Sequence, residues 1–234
     1  MSIKTLILGG GYVGRRLADR LDAAMTHRSE EKAMRQSIYF DLSAPDSWDS
    51  LPQAGNVIWT FPAAPLDQVQ AFYRTKLTNV RKLFVYASTS CYRTQQTDLR
   101  IDEDQPLDLT RERVVSEEWL RQQGATILVL AGIYGPNRQP QDWLRKGLIK
   151  TPDKRVNLIH VDDIVTITER LLDDDRNPRG ERFNLADGEA LLWRDIADHY
   201  GLPLQDFGNS YASKKVSNDK IRDWLGGYRF RALF

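Results

Sequence analysis

Little in this sequence points to a disulfide-stapled or metal-centred protein. Cys91 is the single cysteine, which excludes an intramolecular disulfide framework and a cysteine-based zinc cluster. Histidine is scarce too: His27, His160 and His199 are too few and too scattered for a histidine-rich metal site. No apolar run approaches the roughly 18 residues that a membrane-spanning helix needs. The first apolar segment, Leu6-Ile7-Leu8, is too short for the core of a signal peptide and runs straight into glycines. An excess of one charge is also missing. The 33 basic and 32 acidic residues leave a formal net charge of +1, with no whole-chain bias toward nucleic acid or anionic lipid. These absences lead us to expect a cytoplasmic protein that meets a small-molecule substrate rather than a metal, a membrane or a nucleic acid.

What is present is a rhythm of short apolar runs and amphipathic segments. The 234 residues are 41% hydrophobic, and a chain of this size buries about 70% of the surface its unfolded form exposes. Strands are predicted at Ile3 to Leu8, Ala24 to His27, Ile38 to Phe40, Asn56 to Thr60, Lys82 to Ala87 and Thr126 to Ala131. Helices are predicted at Tyr12 to Leu21, 66 to 80 and Arg111 to Gln123. Apolar strands separated by helices predict an α/β fold, a Rossmann-like and mostly parallel sheet with helices on both faces. After residue 131 the rhythm loosens. Gly132 to Asn137 holds three helix and strand breakers and is predicted as a loop. Helices are expected at Gln141 to Lys146, from Asp162 or Asp163 as cap to about Leu172, and at Trp193 to Tyr200. Phe183 to Ala186 reads as a strand. The expected organisation is a dinucleotide-binding core at 1–131 and a small substrate-side lobe at 132–234, whose segment near 157–172 returns to the core.

The strongest signal is Leu8-Gly9-Gly10-Gly11-Tyr12-Val13-Gly14, in which Gly9, Gly11 and Gly14 satisfy the G-x-G-x-x-G spacing. It follows an apolar strand and opens an amphipathic helix, the context that gives the motif meaning. Gly9 makes the tight turn, Gly11 admits a pyrophosphate close to the backbone, and Gly14 lets helix and strand approach. The ligand's charge then meets the N–H groups at the helix start, where Tyr12 and Val13 stand. The second strand ends Thr26-His27-Arg28-Ser29, where an NAD site usually offers a carboxylate. Arg28 stands there instead, with Glu30 and Glu31 falling in the next turn, so NADP is favoured over NAD. Asp41-Leu42, past the third strand, is placed to approach the adenine through the carboxylate and a backbone N–H.

Taken together, these motifs resemble the extended short-chain dehydrogenase/reductase superfamily. More narrowly, they resemble its atypical bacterial branch of NAD(P)-binding, nucleoside-diphosphate-sugar epimerase/dehydratase-like proteins. The resemblance covers nearly the whole chain. The common extended pattern has a further glycine where Leu8 stands, a departure that fits the atypical branch. The resemblance implies that Thr60-Phe61-Pro62-Ala63-Ala64 is the loop passing the cofactor. It also implies that Phe84-Val85-Tyr86-Ala87-Ser88-Thr89-Ser90-Cys91-Tyr92 is the active-site strand end, with Ser88 in the Ser/Thr place and Thr89 beside it. Leu130 to Pro136 resembles the segment bordering the nicotinamide, which includes Ile133. Leu158 to Ile164 and Phe183 to Asp187 resemble further ordered segments, and Lys214 to Asn218 with Gly227 to Phe230 resembles the tail.

The superfamily pairs that Ser/Thr with Tyr-x-x-x-Lys on a helix, where the lysine favours the phenolate and holds the nicotinamide ribose. Here Asp108-Leu109-Thr110-Arg111-Glu112-Arg113 puts Leu109 in the tyrosine place and Arg113 in the lysine place. The catalytic tyrosine is missing. Arg113 keeps the capacity to bind ribose or phosphate but is a poor proton relay. Tyr92, Tyr134 and His160 are the candidate substitutes, His160 being the most suitable by ordinary pKa; each also has a plain structural explanation. Three readings are weighed: an NADP-dependent oxidoreductase or epimerase with altered acid/base chemistry, a non-catalytic NADP-binding sensor or interaction module, and a structural protein without a nucleotide, against which the intact glycine spacing and Arg28 speak. Arg111, Glu112, Glu117 and Glu118 read as a solvated helix face, Asp173 to Asp175 as an exposed acidic turn, and Lys214-Lys215 as surface with the option of touching a phosphate. The resemblance implies a homodimer through a four-helix interface, for which Val115, Trp119 and the 66–80 helix are available, with a monomer as the alternative.

Overall fold

The computed structural model describes residues 2–29, 37–94, 98–204 and 212–234. Glu30 and Glu31 lie outside the described residues. The chain forms two compact units. The first is Met1–Ala87, Asp108–Leu128 and Val165–Arg182; the second is Ser88–Leu107, Val129–Ile164 and Phe183–Phe234.

The sheet is built from β1 (Ser2–Leu8), β2 (Ala24–His27), β3 (Ser37–Tyr39), β4 (Gln53–Trp59), β5 (Lys82–Ser88), β7 (Thr126–Leu130) and β11 (Arg182–Leu185). Its seven strands run in the order β11-β7-β5-β4-β1-β2-β3. Every register from β5 through β4, β1 and β2 to β3 is parallel. The last four residues of β1 and of β4 are buried, as continuous apolar runs in a sheet covered on both faces require. From β1 the chain moves one way to β2 and β3, then returns to pass β4 on the other side. That reversal places a topological switch at the carboxyl ends of β1 and β4, where open α/β sheets bind ligands.

Helix α1 (Tyr12–Leu21) buries Val13, Gly14 and Leu17. The predicted 66–80 helix is shorter than expected: α2 (Leu66–Phe72) passes into a π-helical turn at Tyr73–Leu77. Helix α3 (Glu112–Gln122) and most of α5 (Val161–Asp173) complete the first unit. The carboxyl end of α5 is closed by a buried lysine. Lys82 Nζ donates to the carbonyls of Leu171 (3.0 Å), Leu172 (2.7 Å) and Asp174 (2.7 Å). Burial lowers the Lys82 pKa, the neighbouring Arg81 charge adding to it.

The second unit is made of small pieces. Here β6 (Leu99–Ile101) pairs with β13 (Lys214–Val216), β8 (Gly132–Tyr134) with β10 (Leu158–His160), and β9 (Arg155–Val156) with β12 (Leu191–Leu192). Helices α4 (Pro140–Arg145), α6 (Trp193–His199) and α7 (Asp219–Trp224) accompany them. A compact apolar cluster of Tyr134, Leu144, Leu158, Trp193, Ile196 and Ala197 forms its core, with Trp143 packed against it.

Two local expectations are corrected. Gly132–Tyr134 is a strand, not a loop, because parallel pairing with Leu158–His160 outweighs its poor local propensity. Asp162 and Asp163 do not cap α5, which already begins at Val161. Asp163 is fully buried and accepts hydrogen bonds from Tyr228 Oη (2.9 Å) and the Arg231 amide (2.8 Å), with the Arg231 guanidinium alongside.

Candidate functional site

In the first unit, the glycine-rich turn is fixed by the chain's own atoms at all but one of its motif positions. Gly9 has φ +103°, and its N–H donates to Thr26 Oγ1 at 2.9 Å. Thr60 Oγ1 lies 2.9 Å from the carbonyl oxygens of both Leu8 and Gly9. A Cβ on Gly14 would stand 1.9 Å from the Gly9 carbonyl oxygen, so only hydrogen fits where α1 crosses the turn. Gly11 differs. A Cβ there would meet nothing within 4 Å, and its φ of −77° is open to any residue. The protein's own packing does not demand glycine at this position.

Gly11 is also the N-cap of α1 and supplies no side-chain cap, and no acidic residue stands in the first turn. The positive end of the helix dipole therefore meets this turn with no acidic residue of the first turn to offset it. The Arg16 guanidinium lies 4.0 Å from the Tyr12 ring centroid and donates to the Tyr12 carbonyl at 2.8 Å. The residues present thus fit a dinucleotide: a cradle that a side chain would fill, at an uncapped helix start, beside the switch of the sheet.

At the neighbouring strand ends, Arg28 is exposed. Asp41 receives Ser43 N–H (2.9 Å) and Ser43 Oγ–H (2.7 Å) on Oδ1. Those bonds, helped by the Arg28 charge, hold its carboxyl below the usual range. The Asp41 N–H is engaged by Ser47 Oγ at 3.0 Å, and Leu42 is buried. Phe61 packs at a tilt against Trp59 and Phe40, and Pro62 is exposed.

Arg113, on α3, donates to Glu117 Oε1 at 2.5 Å and to the Tyr86 carbonyl at 3.3 Å. Glu117 is only 3% exposed, so it is no part of a solvated face; burial raises its pKa, with Arg113 opposing. Leu109 is 56% exposed and precedes α3. The places aligned with tyrosine and lysine therefore do not share a helix face.

The second unit holds Ser88, Thr89, Tyr92, Ile133 and His160. Ser88 Oγ accepts from the Ser90 N–H at 3.3 Å. The Thr89 carbonyl accepts from Lys214 Nζ. Tyr92 is 3% exposed, and its hydroxyl donates to Asn184 Oδ1 at 2.5 Å. Ile133 is half-buried in β8, beside Ile159. His160 Nδ1 accepts the Asp162 N–H at 3.2 Å, and its ring meets Tyr134 edge-on at 5.0 Å. The Tyr134 hydroxyl donates to the Arg231 carbonyl at 3.1 Å. Burial pushes the Tyr134 pKa up, the Asp187 and Asp163 charges adding to it.

Three residues that sequence reasoning passed over shape these places. Thr26 anchors Gly9, and its hydroxyl is invisible to a search for ribose-binding charges. Glu117 holds Arg113, a pairing its i, i+4 spacing signals. Asp187 is held largely from solvent, and burial pushes its carboxyl up to about 6. Asp174 departs from the exposed turn assigned to it: its side chain is 10% exposed and pairs with Arg176.

No family model matches the sequence. The chain is 26% identical to Protein YeeZ of Escherichia coli over 95% of this chain and 94% of that protein. It superposes on a functionally unknown conserved protein from Silicibacter pomeroyi with TM-score 0.78 and 23% identity, covering 99% of this chain and 94% of the other. Bordetella bronchiseptica WbmG, solved with NAD and UDP, matches with TM-score 0.78 and 17% identity over 100% and 91% of the two chains.

The cofactor expectation is corrected by such structures. WbmG, MoeE5 and a Bacillus anthracis dTDP-glucose 4,6-dehydratase are held with NAD, while Pseudomonas aeruginosa RMD is held with NADPH. NADP is therefore not favoured over NAD. Arg28 is exposed and its charge also acts on the Asp41 carboxylate, so its presence alone does not specify a 2′-phosphate. No helix among the described residues is long and apolar enough to cross a membrane. The parallel sheet, the glycine-rich turn and these superpositions show a Rossmann-like α/β fold, shared with solved NAD(P)-binding proteins.

Proposed function

We propose that this protein binds NAD at the Gly9–Gly14 turn and is an oxidoreductase or epimerase/dehydratase-like enzyme. It would move a hydride to or from a small carbonyl, hydroxyl or sugar-type substrate, without the superfamily's usual Tyr-x-x-x-Lys pair. The observation that carries the reading is Gly11, a glycine for which the protein's own packing has no use. NAD, when bound, supplies the carbon that takes up or returns the hydride.

In this reading the N–H groups of Tyr12 and Val13 hold the pyrophosphate. Arg28, Asp41 and Leu42 meet the adenosine, while Thr60, Phe61, Pro62 and Ile133 border the rest of the cofactor. Arg113, steadied by Glu117 and the Tyr86 carbonyl, holds the nicotinamide ribose. Ser88 and Thr89 orient the substrate oxygen through their hydroxyls. His160 takes the proton-transfer role. Its Nδ1 accepts the Asp162 amide, so the neutral ring carries its proton on Nε2. Tyr92 is left out of the proton relay because its hydroxyl is buried against Asn184. A sugar-type substrate is supported by MoeE5 and WbmG, solved with UDP-glucose and with UDP.

The exposed Leu109, standing before α3 where a catalytic tyrosine would be sought, favours a second reading: an NAD-binding sensor or interaction module without turnover. One experiment separates the two. The purified protein is titrated calorimetrically with NAD and NADH, then NADH absorbance is followed with UDP-glucose and simpler carbonyl compounds. Saturable binding with stereospecific hydride transfer supports the enzyme. Binding without turnover supports the sensor, and failure of both nucleotides to bind refutes both readings.

A further inference from the structure

We propose that the second unit carries an anion-binding site for a small phosphate-bearing molecule, in the groove formed by β6, β13, α7 and the tail segment Tyr228 to Phe230. The groove has a volume of about 640 Å³, and all its lining residues belong to that one unit. The volume suits a small-molecule ligand. None of the lining residues belongs to the set assigned above to NAD or to catalysis.

Four cationic side chains reach this groove from four separate elements: Arg100 from β6, Lys215 from β13, Arg222 from α7 and Arg229 from the tail. Two of them share a single counter-charge. Arg222 Nη2 donates to Asp219 Oδ1 at 2.9 Å, and Arg100 Nη2 donates to the other oxygen of the same carboxylate. Arg100 also reaches Ser217 Oγ at 3.3 Å, and Arg222 has a looser contact with Asp223 at 3.9 Å. Asp219 thus fixes two guanidiniums side by side, each with N–H donors in hand.

The other two cations lack even a shared partner. Among the described residues, Lys215 and Arg229 form no salt bridge and no side-chain hydrogen bond. The field of Lys215 reaches Asp98, but that carboxylate is taken by Arg155 at 2.6 Å. The lining's acidic groups are Asp187, Glu189 and Asp219, so the four cations still outnumber the carboxylates that face them. Like charges converging on a concave surface are relieved by a multivalent anion. Guanidinium forks match the oxygens of a phosphoryl group, and a lysine supplies a point charge beside them. The Lys214-Lys215 doublet, which the proposed chemistry on NAD leaves unused, divides its labour: Lys214 holds the Thr89 carbonyl, and Lys215 faces the groove.

The test uses the full chain carrying Gly11→Val, so that the glycine-rich turn does not take up the probe. Inorganic pyrophosphate is titrated calorimetrically at low ionic strength. Saturable binding is expected, weakened at least about tenfold by adding Lys215→Gln and Arg229→Gln, and weakened again by added salt. In the chain with native Gly11, the same two substitutions should leave NAD affinity and Tm unchanged. Should the double substitution unfold the chain, Arg229→Lys and Arg229→Gln are compared, the lysine form retaining the tighter binding. Absence of saturable heat, or binding indifferent to these changes, overturns the proposal and leaves the NAD reading untouched.

Discussion

Gly11→Val and Gly14→Ala differ by a few atoms and three positions, yet the structure expects opposite outcomes. At Gly11 the backbone is in a region open to valine, and a Cβ there would meet nothing within 4 Å. Replacing glycine at a compatible φ restricts the unfolded chain and stabilises by about 0.4–1 kcal/mol. Losing glycine as N-cap costs a comparable amount, roughly 0.5–1 kcal/mol. The two nearly cancel, so Tm should move by no more than about 2–3 °C. NAD affinity should fall at least about tenfold, because the side chain stands where the pyrophosphate approaches. At Gly14 the added methyl lies 1.9 Å from the Gly9 carbonyl oxygen, a backbone atom that cannot swing away. Forcing α1 off the turn should cost about 1–3 kcal/mol or more and lower Tm by roughly 4–10 °C. Scanning calorimetry and NAD titration on both variants check the pair. The reasoning is refuted if Gly11→Val binds NAD normally, or if it loses as much stability as Gly14→Ala.

The remaining expectations concern stability, pH and the buried tyrosine. The Asp187 carboxyl sits at about 6 against an ordinary 3.8, so its folded form holds a proton that its unfolded form releases. The stability it contributes is complete below its ordinary pKa and disappears as pH rises through about 6, at most about 3 kcal/mol. Asp187→Asn should therefore stabilise at neutral pH and change little in acid, which urea midpoints at the two extremes would show; equal effects at both would count against it. Lys82→Met removes the donor to three carbonyls at the end of α5 and should cost about 3 kcal/mol, or roughly 6–12 °C of Tm. An unchanged melt would mean that water replaces the ammonium. Tyr92→Phe loses the bond to Asn184 and should destabilise by about 1–2 kcal/mol while leaving kcat intact; a collapse of kcat without loss of stability would return Tyr92 to the proton relay.

Much of the sheet and its turn could be read from sequence because local pattern and tertiary role agree there. The 12–21 helix begins and ends where its apolar spacing says, and Gly9 and Gly14 meet the contacts their motif requires. Gly132–Tyr134 was misread because a glycine-bounded trio has no strand signature until Leu158–His160 lies beside it. Asp163 looked like a cap for the same reason: its partners, Tyr228 and Arg231, come from far along the chain. Arg28 invited a 2′-phosphate because sequence shows its sign but not the Asp41 carboxylate near it. The groove cations escaped notice as a group, since nothing in linear order links Arg100 to Arg229.

The boundaries between the two units fall after Ala87, Leu107, Leu128, Ile164 and Arg182, so the chain changes unit five times. Neither unit is a continuous stretch, and no single cut releases one intact. During synthesis the first unit cannot be finished until Arg182 has left the ribosome, well after its glycine-rich end has emerged. The second waits for the tail that Asp163 ties down. A growing chain of this kind stays incomplete for most of its translation, exposing apolar strands such as β1 and β4 before their neighbours arrive. Its yield on expression should therefore respond to chaperone supply and growth temperature more than its final stability alone would suggest.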